Sequence, residues 1–167
     1  MSTAPVPQGT LEDGPRGREL RIRRRIPARI EEVWAAMTEP ARLQRWIGRW
    51  EGDPDSGAVT FFMTAEDEDA EPETFAITEC EPPRRFAADT GVGASTWHLR
   101  VELSREDGLT RLMFAQVVGE DPLGSIGPGW EYYLDRLVRV LDGEDPGSVD
   151  WRDYHPAMSA YYESLAR

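Results

Sequence analysis

The stretch GPGWEYYLDRLVRVLDG, residues 127–143, decides the fold. It opens on two glycines and a proline, runs without a breaker and closes on Gly143, which predicts one helix. Its large apolar residues, Trp130, Tyr133, Leu134, Leu137, Val138 and Leu141, recur at i, i+3, i+4, i+7, i+8 and i+11, one stripe of a 3.6-residue period. Such a stripe needs cover. What covers it, a packed core or the wall of a ligand cavity, is the functional question.

On the N-terminal side the pattern is that of strands. ELRIRRRI alternates, with Leu20, Ile22, Arg24 and Ile26 on one face and Arg21, Arg23 and Arg25 on the other. Two short helices follow. The first carries Ile30, Val33, Trp34 and Met37 after Pro27; the second restarts at Pro40 with Leu43, Trp46 and Ile47 inward. From Trp50 to Val118 the punctuation turns to glycine, proline and acidic clusters between β-rich runs: AVTFFMT, TFAITECE, RFAADT, STWHLRVEL and TRLMFAQVV. Turn residues at EPPRR and SREDG make an antiparallel meander the economical topology. The acidic run AEDEDAEPE, residues 65–73, reads as a solvated loop.

Residues 1–17 are rich in proline and glycine and read as a flexible leader, residues 18–143 as one domain, and residues 144–167 as a linker and helical extension. In the extension Trp151, Tyr154, Met158, Tyr161, Tyr162 and Leu165 fall at helical spacing. That stripe is expected to dock on its own chain, because the short GEDPGSV linker keeps it close, so a monomer is favoured over a homodimer. GEDPLGSIGPG, residues 119–129, reads as a mobile gate.

With 31 acidic against 19 basic residues, the net charge is -12, which opposes nucleic acid and anionic membrane surfaces as partners. Cys80 stands alone and only two histidines occur, so a disulfide framework, a cysteine zinc site, a histidine metal cluster and a Ser-His-Asp triad all lack parts. No metal, cofactor or catalytic residue is expected. The start lacks the pattern of a signal peptide and no apolar run spans a bilayer, so a cytoplasmic location is expected.

Strand, two short helices, about six strands and a long C-terminal helix is the helix-grip order. IPARIEEVWAAMTEPARLQRWI (26–47), ITECEPPRRFAADT (77–90), LTRLMFAQ (109–116) and GWEYYLDRLVRVLDG (129–143) resemble bacterial homologues of the activator of heat-shock-protein-90 ATPase, within the START-like or SRPBCC superfamily. The resemblance covers roughly residues 19–143. It implies an α+β fold in which a curved antiparallel sheet wraps around the long helix, with a cavity between them and here an extra C-terminal amphipathic helix. Family members include lipid and sterol carriers, hormone receptors, aromatic polyketide cyclases and a chaperone activator, so fold alone does not choose a function.

Strand parity selects candidate cavity residues. Trp97 and Leu99 share a face with Val101 and Leu103, and His98 points away. Phe114 and Gln116 share the next strand's face, and an amide among apolar neighbours needs a partner that a ligand could supply. Trp46 and Trp130 lie on elements that converge in a helix-grip fold. Arg24, on the apolar parity, needs a carboxylate such as Glu79, or else anchors an anionic ligand. Arg24, Gln116 and Tyr133 could together polarise a polyketide chain. The leading reading is a non-enzymatic module for a small apolar or aromatic ligand, bound by Trp46, Trp97, Leu99, Phe114, Gln116, Trp130, Tyr133 and Arg24. The alternatives are a cyclase or aromatase-like enzyme, and a protein that engages a chaperone or regulator.

Overall fold

The computed structural model describes residues 4–92 and 95–166, and residues 1–3 of the expected leader lie outside them. Eight antiparallel strands form one curved sheet in the order β1-β2-β8-β7-β6-β5-β4-β3. The strands are β1 (Thr10–Gly14), β2 (Gly17–Ile26), β3 (Arg49–Glu51), β4 (Ala58–Phe62), β5 (Glu73–Glu81), β6 (Arg85–Val92), β7 (Ser95–Glu106) and β8 (Leu109–Val117). The helices α1 (Ile30–Thr38) and α2 (Pro40–Leu43) connect β2 to β3; α3 (Leu123–Leu141) and α4 (Ser159–Leu165) follow the sheet. This is the α+β architecture expected from the sequence.

Local chemistry explains the joints. Asp107 and Gly108 both take positive φ, 44° and 81°, between the paired residues Glu106 and Leu109, the two-residue turn whose twist matches a hairpin. Glu31 and Glu32 complement the N-terminal dipole of α1, and Pro40 ends it because the residue before a proline is pushed to extended geometry. At the far end of α3, Gly143 is left-handed at φ 76°, the Glu144 N–H donates to the Arg139 carbonyl and the Gly143 N–H to that of Val140. That pair of bonds closes the helix.

The core lies between the concave sheet face and α3. Leu20 and Ile22 of β2, Leu112 and Phe114 of β8 and Val101 and Leu103 of β7 meet Leu134 and Leu137 of α3, all at most 7% exposed. Burial of an aliphatic side chain of this kind is worth about 1.5–3 kcal/mol. Ile30, Val33 and Ala36 of α1 and Leu43 and Ile47 beyond it seal one end.

Three features differ from the sequence expectations. Residues 10–14, inside the segment read as a leader, pair along β2 from Thr10 opposite Arg21 to Gly14 opposite Gly17. Helix α3 begins at Leu123, not after Gly129, and carries Pro128 within it. The segment read as a gate is therefore mostly helix. Gly124 and Gly127 are there for packing: a Cβ on Gly127 would stand 2.3 Å from the Tyr162 ring, and one on Gly124 2.6 Å from Glu163 Oε1.

The C-terminal segment docks on its own chain through Tyr154, Met158 and Tyr162, at 4%, 2% and 0% exposure. Trp151 departs from that stripe and stays 41% exposed. Among the described residues no helix is long and apolar enough to cross a membrane, and no cluster of His, Cys, Asp and Glu has a geometry that could hold a metal ion.

Candidate functional site

A cleft of about 680 Å³ opens where the first half of α3 faces the sheet and the loop after β4. Five aromatic side chains line it: Trp97 from β7, Trp130, Tyr132 and Tyr133 from α3, and Trp151 from the tail. Met63, Ala65 and Glu66 form the loop wall, and Asp121, Pro122, Ser125, Ile126 and Gly129 the wall at the start of α3. The volume lies within the ordinary range of about 300–1,000 Å³ for small-molecule sites.

The rings brace one another. Trp130 sits 4.3 Å from Phe114, centroid to centroid, and 6.5 Å from both Trp97 and Tyr133. Tyr132 meets Tyr133 edge-on at 5.1 Å and Trp151 edge-on at 5.2 Å. Trp151 also stacks on His155, with ring planes 6° apart. Parity places Trp97 here: it is the first large inward residue of β7, and Trp130 is the stripe position of α3 opposite it.

Behind Trp130 lies Gln116, fully buried. The indole N–H of Trp130 donates to Gln116 Oε1 at 2.7 Å. Because an indole N–H can only donate, this bond fixes which end of the amide is oxygen. The amide NH2 then faces away and finds no acceptor among the described residues. Thr90, opposite Trp97 on β6, has a buried hydroxyl with no partner either. An unpaired buried polar group costs about 1–3 kcal/mol, and both lie behind the cleft without lining it.

Tyr133 donates its hydroxyl proton to Glu66 Oε1 at 3.0 Å. Burial, and then the negative charge of Glu66, push its pKa well above the ordinary 10.0. Glu73 is likewise pushed up, first by burial and then by Glu66. Glu66, Glu73 and Asp121 have no arginine or histidine nitrogen within salt-bridge distance among the described residues.

The remaining predicted site residues fall elsewhere. Phe114 lies in the core and Leu99, half-buried, packs against it beside Gln116, with Phe114 meeting the cleft residue Trp130. Trp46, 3% exposed, commits its indole N–H to the Ala36 carbonyl at 2.8 Å, beneath α1. Arg24 does not line the cleft, and its partner is not Glu79. Its Nη2 donates to Glu131 Oε1 at 2.7 Å and its Nε to Asp135 Oδ1 at 2.9 Å, both on α3. Glu79 instead faces Arg85 at 3.4 Å, since a bulge after Ile77 shifts the register of β5. Burial opposes the Arg24 charge, but Asp135 and Glu131 outweigh it and raise its pKa.

Glu131 is completely buried, and sequence reasoning missed it. It also accepts the Gln8 backbone N–H at 2.7 Å and the Tyr162 hydroxyl at 2.7 Å, tying the N-terminal segment, β2, α3 and the tail to one carboxylate. Tyr132 and Trp151, equally missed as lining residues, could have been found only by knowing that the tail folds back over α3.

The family model for Activator of Hsp90 ATPase homolog 1-like protein matches residues 27–142. No curated protein matches. Among solved structures, CalU16 from Micromonospora echinospora is similar along nearly its whole length. Its crystal structure is 28% identical, with 95% of this chain and 96% of that chain covered and a TM-score of 0.75. Its solution structure is 25% identical over 99% and 98%, with a TM-score of 0.76. A Bordetella parapertussis protein, 24% identical over 97% and 92% of the two chains, shares the fold at a TM-score of 0.70. The tail that supplies Trp151 lies beyond the residues matched by the family model.

Proposed function

Because the chain belongs to the family of Activator of Hsp90 ATPase homolog 1-like proteins, whose fold serves many roles, we propose that it is a binding module for a small, largely apolar or aromatic molecule. The observation that carries this reading is the cleft walled by Trp97, Trp130, Tyr132, Tyr133 and Trp151. Trp97, Trp130 and Tyr133 would grip the ligand body directly, with Gln116 fixing the Trp130 indole from behind. Leu99, Phe114 and Trp46 would hold those rings in place.

Binding is favoured over cyclisation by the state of the polar groups. Tyr133, the phenol best placed to act on a ligand, is engaged with Glu66 and has its pKa raised, which makes it a poor proton donor at neutral pH. Arg24 is tied to Glu131 and Asp135, away from the cleft.

The test is titration with N-phenyl-1-naphthylamine, a neutral fluorescent aromatic. Saturable binding to the wild type, weakened roughly tenfold or more in both Trp97→Ala and Trp130→Ala, would support the reading. No binding, or binding equal in wild type and folded variants, would overturn it.

A further inference from the structure

The cleft is aromatic, but it is also electrically lopsided. Its lining includes the carboxylates of Glu66 and Asp121 and, among the described residues, no basic side chain. Glu73 stands close enough for the charge of Glu66 to raise its pKa. The Arg136 guanidinium, outside the lining, lies 5.5 Å from the Tyr132 ring centroid. Its Nε donates to the Trp46 carbonyl and its Nη1 to the Pro146 carbonyl and the Tyr132 hydroxyl. The N-terminus of α3 contributes about half a positive charge, and Asp121 beside it answers that. The balance in the cleft is negative, within a chain whose net charge is -12.

Asp121 is half-buried with no ion-pair partner among the described residues, Glu66 is exposed at the rim, and electron-rich ring faces attract cations. Glu66 is already oriented by the Tyr133 hydroxyl at 3.0 Å, leaving its other oxygen free of protein partners within hydrogen-bond distance among the described residues. Tyr132 and the exposed Trp151 stand at the same mouth.

We propose that the ligand is an amphipathic cation, with an apolar or aromatic body among Trp97, Trp130 and Tyr133 and a protonated amine held at the mouth by Glu66, beside Tyr132 and Trp151. This rests on the reading of the cleft as a ligand site and specifies the charge of what enters it. The net negative field of the chain adds attraction over distance, and salt weakens that part of it.

Three probes of one shape test it: tryptamine, tryptophol and indole-3-propionate, which carry an ammonium, a hydroxyl and a carboxylate on the same indole. Their affinities are measured by calorimetry on the full chain, wild type, Glu66→Gln and Asp121→Asn, each confirmed folded by circular dichroism. Tryptamine is expected to bind at least roughly tenfold tighter than tryptophol, with indole-3-propionate weakest. Glu66→Gln, which keeps the shape and a carbonyl acceptor for Tyr133, is expected to erase most of the preference, and Asp121→Asn part of it. Equal affinities, a preference for the carboxylate, or an ammonium preference untouched by both substitutions would overturn the proposal. If none of the three binds while N-phenyl-1-naphthylamine does, the charge assignment fails and the cleft reading stands. If that neutral probe also fails, the cleft reading falls with it.

Discussion

The Ser159 hydroxyl donates to the Gly124 carbonyl oxygen at 2.8 Å, the acceptor that Pro128, four residues on in α3, cannot serve because proline has no N–H. The tail thus mends the helix it packs on. Ser159→Ala is expected to cost about 1–2 kcal/mol, the loss of a bond to a buried acceptor. At this chain length that lowers the melting temperature by about 2–4 °C per kcal/mol. In Pro128→Ala the residue 128 N–H returns, so the same Ser159→Ala change should cost at least about 0.5 kcal/mol less. A double-mutant cycle by urea unfolding measures that coupling, and additive costs would refute the link.

How much of this was legible depends on how many neighbours an element has. Alternation in β2 and β8 and the stripe of α3 each assume one covered face, and there the sequence reading agrees with the structure. Glu131 escaped because α3 is covered twice, by the sheet along Leu134 and Leu137 and by the tail along Gly124, Gly127 and Glu131. A single stripe has no place for the second face. Strand β1 escaped because an edge strand needs few apolar residues, and TLEDG reads as a turn until β2 supplies its partner. Of the cleft, Trp97 follows from strand parity, while Trp130 needed the helix-grip resemblance as well as the α3 stripe, the same ground that also chose Trp46 beneath α1. Glu66 and Trp151 lie on a loop and a tail whose positions only tertiary packing sets.

Close packing of α4 on α3 gives the second prediction. Gly127→Ala would set a methyl group 2.3 Å from the Tyr162 ring, and the phenol has no room to yield, being fully buried with its hydroxyl on Glu131. Overpacking of this sort costs about 1–3 kcal/mol. The tail is expected to loosen, seen as faster amide exchange over residues 154–165, while the central strands exchange as in the wild type. Unchanged protection in the tail would contradict the packing argument.

Arg24 distinguishes a structural ion pair from a ligand anchor. Arg24→Met leaves Glu131 buried without its counterion, and breaking such a pair costs about 3–5 kcal/mol. Arg24→Met with Glu131→Leu should recover much of that loss, since the uncompensated charge is then gone. N-phenyl-1-naphthylamine affinity should stay at the wild-type value in whichever of these variants folds, because Arg24 lies outside the cleft. A loss of probe affinity in a folded variant would place Arg24 in the binding machinery instead.

The N-terminal hairpin carries a dependence on acidity. The Glu12 carboxylate accepts from Arg23 at 2.8 Å, from the Thr10 hydroxyl at 2.6 Å and from Arg21 at 3.2 Å. The bond from Arg23 first, then that from Thr10, hold its pKa down to about 2 from an ordinary 4.5, against a smaller upward push from burial. In the unfolded chain the group takes up a proton near 4.5, so below that pH the unfolded state binds protons that the folded state refuses. The stability Glu12 contributes is therefore complete above 4.5 and is lost as pH falls from 4.5 towards about 2. Its side chain is 35% exposed, so solvent and salt screen the interaction and the effect is modest. Urea midpoints of wild type and Glu12→Gln should differ at neutral pH, converge across that window, and differ less in molar salt. A gap that persists undiminished at the bottom of the window would show that Glu12 holds β1 by shape and not by charge.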